Sequence, residues 1–209
     1  MGIKKYFASQ DNTITNAYKN NLVLRGSGSN MGAADILETF VIHGQTNAAI
    51  SASNAEQCRF LIQFPTAKIS SDMAAGTLPS DSGSIKFYLN LYNAPHGNTT
   101  PLSYSLDVCM ASQPWNEGRG LDMNNYTDLG ASNWVSASST TAWTSAGGSV
   151  LTGAGSSGSV FFETGLENLR LDVSQQVYSW INGTTNAGFL IKYPDSVVSG
   201  STNMYTKMF

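Results

Sequence analysis

Residues 84–92 alternate without a fault: Ile85, Phe87, Leu89 and Leu91 fall on one side, and Lys86, Tyr88, Asn90 and Tyr92 on the other. A two-residue period is that of a half-buried β-strand. The run 102–110 repeats it, with Leu102, Tyr104, Leu106, Val108 and Met110 in phase. The turn-rich stretch 93–101 between them predicts that the two runs are antiparallel neighbours. Further strands are expected over 36–43, 57–64, 159–163, 168–171 and 187–193; the second ends at Pro65, which cannot donate to a ladder. Residues 1–30 sustain no helical period and predict a strand or extended arm, closed by a flexible turn at 26–32. Residues 70–82 read as a loop with a short helical turn at 72–75. One helix is expected, near 172–182. Asp172 caps it, Val173, Val177 and Trp180 or Ile181 form its apolar stripe, and Asn182-Gly183 supplies a left-handed stop. Being short and amphipathic, it should lie across a sandwich edge. The pattern predicts an all-β sandwich in one domain, with 1–30 as its arm and 31–209 as its body.

Residues 121–158 break the rhythm. They are rich in Ser, Thr, Gly and Asn, with Trp134 and Trp143 as isolated apolar points, and read as a long excursion with short strands. Exposed tryptophans in such a setting anchor interfaces, which makes Trp134 and Trp143 candidate contact residues; the equal alternative is that they tuck back into the sandwich. Tyr6 and Phe7 in the arm are the second candidates, because extended arms add strands to neighbouring sheets.

Composition narrows the picture. With 209 residues, 41% of them hydrophobic, the chain can bury a real core. Only 12% are charged, against about 25% in an average soluble domain. A net charge of -3 leaves no basic footprint for nucleic acid. No apolar run approaches the about 20 residues of a membrane-spanning helix, and Lys4-Lys5 are not followed by the apolar stretch of a signal peptide. Synthesis in a cytoplasm without the usual export signal is expected. Cys58 is in phase with Phe60, Ile62 and Phe64, whereas Cys109 is out of phase with Leu106 and Val108. The two thiols should therefore point to opposite faces, which disfavours a disulfide.

Three constellations invite a chemical reading. Trp115 and Glu117 could pair a sugar-stacking indole with a hydrogen-bonding carboxylate; the commoner arrangement packs Trp115 on the sandwich and leaves Glu117 and Gly118 to shape a turn. Asp122, Asn124 and Asp128 offer oxygen ligands as a calcium loop does, without the glycine and distal glutamate of an EF-hand. An ordinary Asx-rich loop is the commoner reading there, and structural calcium is the one cofactor left open. His43 and His96 stand near no nucleophile in sequence, and two His with two Cys do not fall at zinc spacing. No enzymatic activity is expected.

Six pieces in order, Asn30-Met31-Gly32-Ala33-Ala34-Asp35-Ile36-Leu37, Cys58-Arg59-Phe60-Leu61-Ile62-Gln63-Phe64, the run 85–92, Trp115-Asn116-Glu117-Gly118, Leu171-Asp172-Val173 leading to Trp180, and Asn186-Ala187-Gly188-Phe189-Leu190-Ile191-Lys192, carry a resemblance. Over most of its length the chain resembles the DNRLRE-type jelly-roll domain, a carbohydrate-binding-module-like β-sandwich. Its opening, Lys4 to Tyr18, looks like the version carried by structural proteins of tailed marine phages. The resemblance implies a jelly roll of two antiparallel sheets, in which Trp115-Asn116-Glu117-Gly118 is a fold hallmark. It also implies a virion protein, a capsid decoration or tail component assembled in the host cytoplasm, with other virion proteins and copies of itself as partners. Binding to host-surface glycans is the alternative implied. Members of that family finish with further strand sequence, so the apolar stretch 204–209, in mid-pattern, is expected either to belong to a longer chain or to be completed by another subunit.

Overall fold

The structure, a computed structural model, describes residues 2–44, 54–97, 99–121, 131–200 and 204–209. In chain order its elements are β1 (Gln10–Thr15), β2 (Glu38–Ile42), β3 (Glu56–Gln63), α1 (Thr66–Ala74), β4 (Tyr88–Leu91), β5 (Tyr104–Met110), β6 (Ser157–Phe162), β7 (Leu169–Asp172), α2 (Ser174–Ile181), β8 (Phe189–Lys192), α3 (Asp195–Gly200) and β9 (Tyr205–Met208). Every strand pair is antiparallel. A seven-stranded sheet runs β6-β5-β8-β3-β2-β9, with β1 also on β3, and β4 and β7 form a separate two-stranded sheet.

The centre of the large sheet is β3. β1 pairs with it along 58–63, while the opposite edge is divided between β2 at 56–58 and β8 at 60–62. Side chains alternate across a strand, and here both alternating sets are apolar. Phe60 and Ile62 of β3, Leu106, Val108 and Met110 of β5, and Phe189 and Ile191 of β8 enter the main core. Leu89 and Leu91 of β4, Leu169 of β7, and Val173, Val177 and Trp180 around α2 cover them. Tyr104 stacks on its cross-strand partner Phe162, ring centroids 5.1 Å apart, and Trp180 lies 4.8 Å from Phe189. The result is a sandwich-like all-β body whose second layer is completed by helices.

On the reverse face, Ile14, Leu61 and Leu190 meet a second core built from Ala111, Trp115, Trp134, Ala137, Trp143 and Ala187. The Ser/Thr/Gly-rich stretch thus folds back as a covering layer. Its approach depends on Gly147 and Gly148, with φ of 86° and 93°. A Cβ on Gly148 would stand 2.1 Å from Leu190 Cδ1, and one on Gly147 would stand 2.7 Å from the Trp134 ring. Arg59, on the same face, donates to Gly147 O (2.9 Å) and lays its guanidinium over Trp134, 4.9 Å from the ring centroid.

A lysine completes the main core. Lys207 of β9 is fully buried. Its ammonium donates to Gly165 O (2.8 Å), Glu167 O (3.0 Å) and Asn93 Oδ1, and sits over Phe162 and Phe209 at 5.2 and 5.0 Å. Burial lowers its pKa to about 8, against the opposing pull of Glu167. β9 pairs with β2, and Leu37 and Phe209 exchange backbone hydrogen bonds beyond it, so the apolar stretch 204–209 enters the sheet of its own chain.

Several expectations need correction. The runs 84–92 and 102–110 are not neighbours: β4 pairs with β7, while β5 lies between β6 and β8, because the stretch between them crosses from one sheet to the other. α2 lies over the main core rather than across an edge, since three of its apolar residues reach it. The loop expected at 70–82 begins inside α1, and α3 follows Pro194, which opens a turn bonded by Val197 N–H. The turn at 26–32 is anchored, with Ser29 and Asn30 buried. The two cysteines are free and buried, on opposite faces as their phases require.

Gly148→Ala places a methyl group against Leu190 at a φ unfavourable to any L side chain. It is expected to lower unfolding stability by about 2–4 kcal/mol, read as a fall in the urea midpoint with an unchanged slope.

Candidate functional site

The segment 113–120 runs beside β1 on the reverse face. Trp115 is 4% exposed and its indole Nε1 donates to Ala187 O at 2.8 Å. Glu117 turns back and accepts the Asp11 N–H (2.8 Å), occupying an outward amide of β1. Two buried asparagines bind the neighbouring pieces together. Asn12 donates to Ser132 O and Oγ (2.9 and 2.8 Å) and accepts from Met31 N–H (2.8 Å). Asn30 donates to Glu117 O (2.6 Å) and Ser132 O (2.8 Å), and accepts from the amides of Gly32 and Gly120. Such networks cost nothing only when every member is paired. Burial, with the Glu117 carboxylate beside it, pushes the Asp11 carboxyl above its ordinary range.

This geometry overturns the sugar platform at Trp115 and Glu117. The indole has no free face and the carboxylate holds backbone. Trp134 and Trp143 are likewise core, 7% and 6% exposed, with Trp143 Nε1 donating to Asn133 O (2.7 Å), so neither presents a contact surface. The signal that could have shown this is the Gly147-Gly148 pair, whose absent side chains let the segment lie flat on the sheet. Asp122, Asn124 and Asp128 lie outside the described residues. Among the described residues, no group of three or more His, Cys, Asp or Glu is placed to hold a metal ion.

The N-terminal arm divides. Tyr6 packs against the main core, and its hydroxyl donates to Asp72 Oδ2 (2.7 Å), the atom that Lys4 Nζ also reaches (2.6 Å); Lys68 Nζ stands 3.4 Å from Oδ1. The Lys4 ammonium and Tyr6 hydroxyl hold the Asp72 carboxyl down to about 2, while burial, and then Asp72, raises the Tyr6 hydroxyl above its ordinary value. Phe7, its neighbour, is 81% exposed. Tyr18 bridges to Arg25, closing a small hairpin whose tip presents Leu22, Val23 and Leu24 to solvent. Asn21 Oδ1 accepts the Val23 and Leu24 amides and fixes that tip. Beyond β2 and β9 lies an open groove of about 390 Å³ between Met31, Ala33, Ile36, Leu121 and Met208, with Asp35 and Glu38 on its walls.

A second surface is the outer face of the two-stranded sheet. The alternation of 84–92 sends Tyr88, Asn90 and Tyr92 outward, as expected, and Tyr92 is 70% exposed. Asn90 pairs with Arg170, whose guanidinium lies 4.5 Å from the Tyr88 ring, and Asp172 meets Lys86 at 3.4 Å. The result is a mixed polar and aromatic face. Cys58, whose Sγ donates to Glu38 O, has its thiol pKa pushed well up by burial, which suppresses the reactive thiolate. Among the described residues, no helix is long and apolar enough to cross a membrane.

No protein-family model matches the chain, and neither curated proteins nor solved structures contain a significant match to it.

Asp72 is the staple between arm and body. Because its folded-state pKa lies below the ordinary 3.8, the staple is complete above that value and is lost as pH falls through about 2. Asp72→Asn is expected to speed tryptic cleavage after Lys4 and Lys5 at neutral pH roughly threefold to tenfold. Acidification should then no longer loosen the arm through this contact, as peptide mapping of acid-exposed samples would show.

Proposed function

We propose that the chain is a non-enzymatic structural protein of a tailed-phage particle, a jelly-roll domain decorating the capsid or forming part of the tail, which works through contacts with other virion proteins and with copies of itself. One observation carries this reading: the polar groups best suited to chemistry hold the fold together, while the most prominent solvent-facing features are apolar. Asn12, Asn30 and Glu117 join β1 to the covering layer, Arg59 braces Trp134, Asp72 holds the arm, and Lys207 closes the core. Phe7 and the Leu22-Val23-Leu24 tip face outward. Rigid presentation of apolar projections suits repeated assembly, where many weak contacts add through multivalency. Immunogold labelling of intact particles with an antibody to this chain should decorate them; particles that contain no label would remove the virion role.

The outer face of β4 and β7 favours a second reading, docking on host-surface glycans or polysaccharide. Aromatic faces suit the C–H groups of pyranose rings, and Asn90 and Arg170 stand beside Tyr88 to bond hydroxyls. On this reading the isolated chain binds a glycan array, and Tyr92→Ala weakens that binding roughly tenfold with an unchanged thermal melt. An array without signal would dismiss it.

A further inference from the structure

We propose that two copies of the chain join edge to edge through β6, antiparallel about a two-fold axis at Ser159, to make one continuous sheet. The hydrogen-bond alternation of β5 sets up the argument. Met110 N–H bonds Ser156 O (2.8 Å) and Ala111 N–H bonds Gly188 O (2.9 Å), so alternate residues of β5 serve β6 and β8 in turn. By the same alternation Gly158, Val160 and Phe162 of β6 turn their backbone groups toward β5, and Ser157, Ser159 and Phe161 turn theirs outward. Among the described residues, β6 pairs with β5 alone. The side chains of Ser157, Ser159 and Phe161 are exposed too, Phe161 by 62%.

The other edges of the large sheet are managed differently. At β9 the Met208 carbonyl accepts the Ala94 N–H, and at β1 the outward Asp11 amide is taken by Glu117. β6 carries none of the devices that blunt an edge: its sequence, Ser-Gly-Ser-Val-Phe-Phe, has no charge and no proline, and its register with β5 runs through six residues without a bulge. A foreign strand could use such an edge, but the edge is self-complementary. Pairing about Ser159 sets Ser159 against Ser159 of the second copy and Ser157 against its Phe161, so that every outward donor meets an outward acceptor. Just beyond the strand, Glu163 falls opposite an uncharged Gly155, and no like charges meet. An isologous contact of this kind closes on itself and yields a dimer.

The pairing names a surface for the self-contacts of the proposed assembly, and depends on that reading only for its biological use. Sedimentation of the full chain over about 1–100 µM should show a species of twice 22.3 kDa. Ser159→Lys and Ser159→Glu should each be monomeric with an unchanged circular dichroism spectrum and melt, and their equimolar mixture should regain the dimer. In the unaltered protein the Ser159 and Phe161 amides should exchange with deuterium more slowly at the top of that range than at the bottom, a readout that needs no variant. A monomer throughout, a dimer indifferent to Ser159→Lys, or exchange independent of concentration would overturn the pairing. Particles that label with antibody while the chain stays monomeric would sink the edge contact alone. A dimer that labels no particle would leave it standing and remove the virion role.

Discussion

Leu61 and Leu190 face each other across adjacent strands on the side of the large sheet turned away from the main core, and the architecture of that half of the molecule follows from the need to keep them dry. A sheet with one wet face needs only one covering layer. Here Phe60 and Leu61, like Phe189 and Leu190, are consecutive and all buried, so the sheet must be covered twice. One cover is regular, made of β4, β7, α1 and α2. The other, in its described residues, has almost no secondary structure of its own and is held by tryptophans, by glycines that allow close approach, and by asparagine side chains standing in for ladder bonds. Its indole donors, Trp115 to Ala187 and Trp143 to Asn133, join the irregular layer to itself and to the segment that leads into β8.

How far the sequence discloses this depends on range. The faces of β4 and β5, the apolar stripe of α2 and the opposed cysteines follow from periods of two and 3.6, which are local properties. Pairing partners do not: nothing within 84–110 says that its two strands belong to different sheets, because the decision lies in β7 and β8, far along the chain. Phe60-Leu61-Ile62 and Phe189-Leu190-Ile191 are consecutive apolar residues, a pattern of strands buried on both sides that a two-residue period alone passes over. The identity of the second cover was obscured by its Ser/Thr/Gly composition, which ordinarily marks solvent. Glu117 is the sharpest instance at the candidate site. Beside Trp115 it resembles a ligand-binding carboxylate, and only the position of Asp11 makes it a backbone acceptor.

Low overall charge takes on a specific meaning in this setting. A set of polar side chains faces inward, where asparagine and serine satisfy backbone groups without the desolvation cost of an ion. Asn12 and Ser132 are fully buried and bonded to each other, and Thr13, Thr15 and Thr39 are buried as well. Three charges are used at boundaries: Asp72 between arm and helix, Arg59 between sheet and covering layer, and Lys207 between the last strand and two loops. The chain therefore gains specificity from neutral hydrogen bonds as well as from these few charges.

Lys207 has a kinetic corollary. Its strand aligns Met208 with Glu38, and its ammonium rests over Phe162, so residues from the early, middle and final parts of the chain must converge before the sheet is complete. Contacts of such long sequence separation make folding slow. A nascent chain emerging from the ribosome carries β2 without its outer neighbour for most of synthesis, and Phe162 without its lid until the last strand follows it. Folding to the finished sheet accordingly belongs to the interval after residue 208 has emerged, and the time spent waiting for it is when this chain is most in need of a chaperone.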